Sequence, residues 1–132
     1  MFSEIEKLNL PLQKYVVFGG AALQARGIRE TADIDIVATA DVLEKCKSEG
    51  WEDHPRINQN DAVGLHKGIV ELYPDVGRGL NLDFEYLRKN TEIINGIPFC
   101  NLEDIIQVKR AYGREKDLQD IELIRKYIGS RK

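Results

Sequence analysis

Apolar positions fall into short blocks whose spacing changes along the chain. Tyr15-Val16-Val17-Phe18 is a continuous apolar run that stops at Gly19-Gly20, which predicts a buried strand ending in a turn. Ala21–Arg26 are strong helix formers, and Gly27 suits the left-handed residue after a helix. In Ala32-Asp33-Ile34-Asp35-Ile36-Val37 carboxylates alternate with isoleucines, so a strand would send both aspartates to one face and both isoleucines to the other. Upstream, Ser3-x-x-Glu6 has capping-box form and opens a helix carrying Ile5 and Leu8, which Pro11 ends. Asp41-x-x-Glu44 starts another helix, with Val42, Leu43 and Cys46 inward and Gly50 at its close.

The second half is punctuated differently. Residues 51–64 are polar and broken by Pro55, a loop with a short strand at Trp51. His66–Tyr73 and Leu80–Leu87 read as two antiparallel strands joined across the turn formers of Pro74–Gly79. Ile93-Ile94 and Ile97-Pro98-Phe99 flank Asn95-Gly96, the signature of a type I′ hairpin, and Pro98 predicts an edge strand. Asn101 caps a helix over 102–112, Gly113 breaks it, and Glu115–Ile128 forms a last helix with Leu118, Ile121, Ile124 and Ile128 inward. The order predicts an α+β fold: a small mixed or antiparallel sheet with flanking helices and a C-terminal helical pair.

Composition narrows the picture. With 132 residues and 42% apolar content, residues 1–132 are expected to form one domain. Two cysteines, Cys46 and Cys100, are too few for a disulfide scaffold, and His54 and His66 stand apart, so a reduced, cytoplasmic protein is expected. No apolar stretch nears the roughly 20 residues of a membrane span, and the acidic start is unlike a signal peptide. Charge is uneven: residues 1–108 hold 11 Lys/Arg against 18 Asp/Glu, whereas 109–132 hold 8 against 4. That basic end could be a solvated helix face, a nucleic-acid footprint or the phosphate-binding wall of an otherwise acidic site.

Carboxylates at i and i+2 on a strand lie about 7 Å apart at Cα, close enough to grip one divalent cation from the same side. Alone, Asp33 and Asp35 could equally be a strand's wet face. A diglycine between strand and helix lets backbone N–H groups approach a ligand closely, and it is also an ordinary turn. Together the two features describe a site for a metal-bound nucleoside triphosphate.

Val17-Phe18-Gly19-Gly20-Ala21-Ala22-Leu23 and Arg29-Glu30-Thr31-Ala32-Asp33-Ile34-Asp35-Ile36 resemble the signature of the nucleotidyltransferase (polymerase-β-like) superfamily. The Gly-Gly turn and the Thr before Asp-x-Asp are most similar to small AbiEii-type nucleotidyltransferases of toxin–antitoxin systems. Lys109-Arg110-Ala111-x-x-x-Arg114-x-Lys116-Asp117-x-x-Asp120-Ile121 resembles their Lys-rich helix and following Lys-Asp-x-x-Asp-Ile. The resemblance implies transfer of a nucleoside monophosphate from an NTP to a hydroxyl of RNA, protein or a small molecule. It implies Mg²⁺ (or Mn²⁺) held by Asp33, Asp35 and a third carboxylate. Asp83 is the expected third, with Glu85 beside it and Glu71 as the fallback. Gly19 and Gly20 would contact phosphate. Lys109 and Arg114 would face the triphosphate, and Asp117 or Asp120 would orient Lys116 or the nucleotide sugar, although the same charges could form plain surface ion pairs. Arg26 and Arg29 lie near the diglycine helix, where they could approach phosphate or sit in a solvated loop. Expected partners are the NTP, the acceptor, a cognate toxin or antitoxin and a second copy in a homodimer, with no membrane. Other readings are a catalytically inert binding module of the same fold, which would not bind Mg²⁺–NTP, and general nucleic-acid binding through the basic end, which would be strongly salt-dependent.

Overall fold

The structure, a computed structural model, describes residues 1–56 and 61–131. Part of the loop expected over 51–64 therefore lies outside the described residues. Among them, seven strands form one mixed sheet: β1 (Tyr15–Phe18), β2 (Ile34–Ala38), β3 (Glu52–His54), β4 (Gly64–Lys67), β5 (Val70–Tyr73), β6 (Glu92–Ile94) and β7 (Ile97–Phe99), ordered β3-β4-β5-β2-β1-β7-β6. The helices are α1 (Phe2–Lys7), α2 (Gly19–Gln24), α3 (Ala40–Ser48), α4 (Phe84–Leu87), α5 (Leu102–Tyr112) and α6 (Glu115–Ser130). This is the expected α+β architecture, with α5 and α6 as the C-terminal pair.

The centre of the sheet follows from the two blocks read first. All of β1 is buried, and Ile34 and Ile36 of β2 are buried while Asp33 is exposed, so the period of two divides that strand as expected. Helix α2 returns the chain so that β2 pairs antiparallel with β1, Phe18 opposite Asp35. On its other side β2 pairs parallel with β5, Asp35 opposite Glu71. Strands and helices share one core running from Ile5 through β1, β2 and β5 to Ile105 and Ile124.

Several expectations are corrected. The hairpin partner of β5 is β4, joined through Gly68 and Ile69 with Gly68 at φ 60°, rather than a strand over Leu80–Leu87. That segment instead makes one isolated bridge, Asp75 with Asp83, and then the short helix α4, because the Asp83 carboxylate accepts from the Tyr86 N–H and caps a helix. Pro98 is not on an edge: β7 lies between β6 and β1. The β1–β7 ladder is confined to Val17 opposite Phe99, so the missing N–H interrupts little. Asn95 and Gly96 both take positive φ, 51° and 78°, as the type I′ turn requires. Ser3 caps no helix; α1 starts at Phe2, and the N-terminal amino group pairs with Glu4. On α6 the inward face is Asp117, Asp120, Ile121 and Ile124, while Leu118 is exposed. A face chosen by aliphatic residues alone misses two buried aspartates.

Candidate active site

A cavity of about 320 Å³ opens where β1, β2 and β5 meet α5 and the start of α6, and it brings together residues that are far apart in sequence. Its floor carries Asp33, Asp35 and Glu71, beside Gly19 and Gly20. Gly19 sits at φ 66°, and a Cβ there would lie 2.8 Å from the Asp35 carboxylate oxygen Oδ2. A Cβ on Gly20 would meet Thr31 Oγ1 at 2.5 Å. The diglycine is needed for two reasons: the backbone turns through a left-handed conformation, and it closes directly onto the acidic strand. The glycine turn and the aspartate pair thus converge on one pocket.

The floor is electrostatically frustrated. Burial, the Glu71 carboxylate and the Asp33 carboxylate together push the Asp35 carboxyl up to about 7, and Lys109 and Arg56 only partly oppose them. A divalent cation would relieve this excess of negative charge, and hard oxygen donors suit Mg²⁺. Among the described residues no three His, Cys, Asp or Glu side chains converge tightly enough to cage a metal alone. Such a cage is not required, since Mg²⁺ commonly takes one or two carboxylates, substrate phosphates and water. Asp33 and Asp35 therefore fit the ion as a pair that leaves coordination positions open.

The opposite wall is cationic and preassembled. Asp120 holds the Arg29 guanidinium through two hydrogen bonds, 2.7 and 2.9 Å, and the Lys109 ammonium at 2.8 Å. Asp117, fully buried, accepts from Arg114 Nε at 2.7 Å and lies 3.4 Å from Lys109 Nζ. Burial alone would raise both carboxyls, but Arg29 and Lys109 at Asp120, and Arg114 and Lys109 at Asp117, hold them below the usual range. Both acids serve as anchors: they fix cations from the α2–β2 loop, α5 and the start of α6 against one cavity. Lys116 lines the same cavity and is exposed.

The remaining sequence candidates are placed as follows. Asp83 is the cap of α4, does not line the cavity, and is not brought together with Asp33 and Asp35. Glu85 likewise faces Arg88 on the surface. The alternation of Leu80–Leu87 predicts a strand for both, and Asp83's capping role overrides it. Glu71, the fallback, is the acid that register sets opposite Asp35. Arg26 is buried elsewhere, donating to the carbonyls of Ala22 and Cys100 and pairing with Glu92. Sequence reasoning missed Arg56, whose guanidinium lies 3.9 Å from the Tyr73 ring centroid, and His54, both at the cavity wall. His54 reaches the wall through the pairing of β3 with β4, which no local pattern discloses. Asp83→Ala is expected to lower stability by about 1 kcal/mol, the value of a lost helix cap, which urea denaturation checks.

No family model matches the chain, and no curated protein matches it. Among solved structures, the crystal structure of a putative nucleotidyltransferase from Thermotoga maritima superposes with a TM-score of 0.54 at 24% identity, over 89% of this chain and 83% of that one. The chain is thus similar in fold to that protein, and its sheet and helical pair make a nucleotidyltransferase-like fold.

Proposed function

We propose that the chain is a metal-dependent nucleotidyltransferase that moves a nucleoside monophosphate from an NTP to an acceptor hydroxyl. The observation that carries this reading is the contact of the diglycine with the acidic strand, a Gly19 Cβ position 2.8 Å from Asp35 Oδ2. It sits at the floor of a cavity whose other wall is cationic. The fold shared with the Thermotoga maritima protein supports it.

Asp33 and Asp35 would hold Mg²⁺ or Mn²⁺ together with the triphosphate. When bound, the ion supplies Lewis-acid neutralisation of the phosphate oxygens at which charge develops during in-line displacement. Gly19 and Gly20, lacking side chains, let the phosphates approach the backbone. Lys109, Arg29 and Arg114 bind triphosphate oxygens, and because Asp117 and Asp120 already fix them, little reorganisation accompanies the reaction. Lys116, exposed at the mouth, adds a cation where pyrophosphate leaves or the acceptor enters. The AbiEii-type motif resemblance supports a role for such chemistry in a toxin–antitoxin pair, with RNA, protein or a small molecule as acceptor.

The test is incubation of the protein with α-labelled NTPs and Mg²⁺ in total cell extract, followed by separation into RNA, protein and small molecules. Label is expected in one of these fractions with the wild type and not with Asp33→Asn or Asp35→Asn. No label in any fraction, together with no melting response of the wild type to Mg²⁺–NTP, would favour the inert module.

A further inference from the structure

Glu71 has surroundings unlike those of the other two floor carboxylates. Its Oε1 accepts from the Tyr73 hydroxyl two residues along β5 and lies 3.2 Å from His54 Nε2 on β3. His54 is itself braced: its ring packs edge-on against Tyr73, centroids 6.1 Å apart, and against His66 at 5.2 Å, and His66 faces Glu52 at 3.8 Å. Arg56 then covers the Tyr73 ring. A carboxylate on a strand ordinarily rotates among staggered positions, whereas the Tyr73 hydroxyl bond and the His54 ring nitrogen close to the same oxygen favour a single rotamer, and the second oxygen has no protein partner among the described residues. Strand β3 lies at the sheet's outer edge, and His54 is its one residue on the cavity wall, so this strand contributes to the site through that ring.

We propose that His54 and Tyr73 are positioning residues that fix Glu71 beside Asp35, so that the free carboxylate oxygen of Glu71 accepts a hydrogen bond from the acceptor hydroxyl and aligns it. This rests on the nucleotidyltransferase reading and adds the acceptor side of the same site. The triphosphate belongs to the Asp33/Asp35 pair and the cationic wall; the Glu71 group acts on the second substrate. A misaligned acceptor slows the chemical step without weakening NTP binding.

The experiment compares His54→Leu, His54→Gln, Glu71→Gln and the Glu71→Gln/His54→Leu pair. Each is assayed for label transfer from α-labelled NTP into the extract fraction that the wild type labels, and for the melting shift produced by Mg²⁺–ATP. His54→Leu is expected to lose about 10–100-fold in kcat with unchanged KM for NTP and an unchanged melting shift. His54→Gln, whose amide can still donate to Glu71, recovers most of the rate. The double variant is no slower than Glu71→Gln alone, since both changes remove one interaction. Wild-type kcat in His54→Leu, failure of glutamine to rescue, or losses that multiply in the double variant would overturn the proposal. A wild type that binds Mg²⁺–ATP yet labels nothing overturns the nucleotidyltransferase reading, and this proposal with it.

Discussion

At pH 8 an Asp35→Asn variant should melt above the wild-type chain by on the order of 10 °C. In the folded protein the Asp35 carboxyl is pushed up to about 7 by burial and by its acidic neighbours, whereas in the unfolded chain it ionises near its ordinary value of about 3.9. The folded state therefore holds this proton more tightly. Its contribution is fully present below the unfolded value and is lost as pH rises through about 7. Holding the charge in place at pH 8 costs about 4 kcal/mol, from a displacement of roughly three pKa units, and asparagine removes that cost while keeping the shape. The advantage should shrink steadily as pH is lowered towards 4. Melting curves of the two proteins between pH 4 and pH 8, without metal, check it; a constant difference, or a wild type that is the more stable at pH 8, contradicts it. A variant stabilised by losing a carboxylate would show that this residue is kept for binding at the expense of stability.

The opposite wall should behave in the opposite way. Lys109→Met keeps the volume but withdraws the charge from between Asp117 and Asp120, which are 0% and 4% exposed. Removing one partner from a buried ion cluster costs about 3–5 kcal/mol, and urea denaturation at pH 6 should show a loss of that size. Lys116→Met, at an exposed position on the same cavity, should change stability by no more than about 0.5 kcal/mol. The sign with pH is reversed here: the depressed carboxyls of Asp117 and Asp120 give stability that is present above about pH 4 and is lost as pH falls through their folded values. The gap between Lys109→Met and wild type therefore narrows towards pH 3. Taken with Asp35, the metal-free protein should be most stable at mildly acidic pH and lose stability on both sides.

What the sequence made legible was local in origin. The diglycine after an apolar run and the Asp/Ile alternation each encode their own geometry, and joining them needed only a helical return between two adjacent strands. Asn101 and Asn95-Gly96 are likewise cap and turn signals contained in a few residues, and both act as read. The third floor acid was not local. Glu71 reaches Asp35 through the parallel pairing of β5 with β2, and no pattern in the single chain states which strand lies beside which. Asp83 had the same alternating neighbours, but its carboxylate is spent on the Tyr86 N–H. Asp117 and Asp120 resemble ordinary charged helix positions until α5 brings Lys109 over them, which turns a surface pattern into a buried network. Leu118 is exposed for the complementary reason: hydrophobic periodicity points it inward but does not count buried ion pairs.

The most direct test is calorimetric titration of the protein with ATP, and with the other nucleoside triphosphates, in the presence and absence of Mg²⁺. Binding of at least one triphosphate that appears only with the ion, and that disappears in both Asp33→Asn and Asp35→Asn while surviving in Asp83→Ala, is the predicted result. No binding of any nucleotide by the wild type, or binding indifferent to the ion and to both aspartates, would contradict the account.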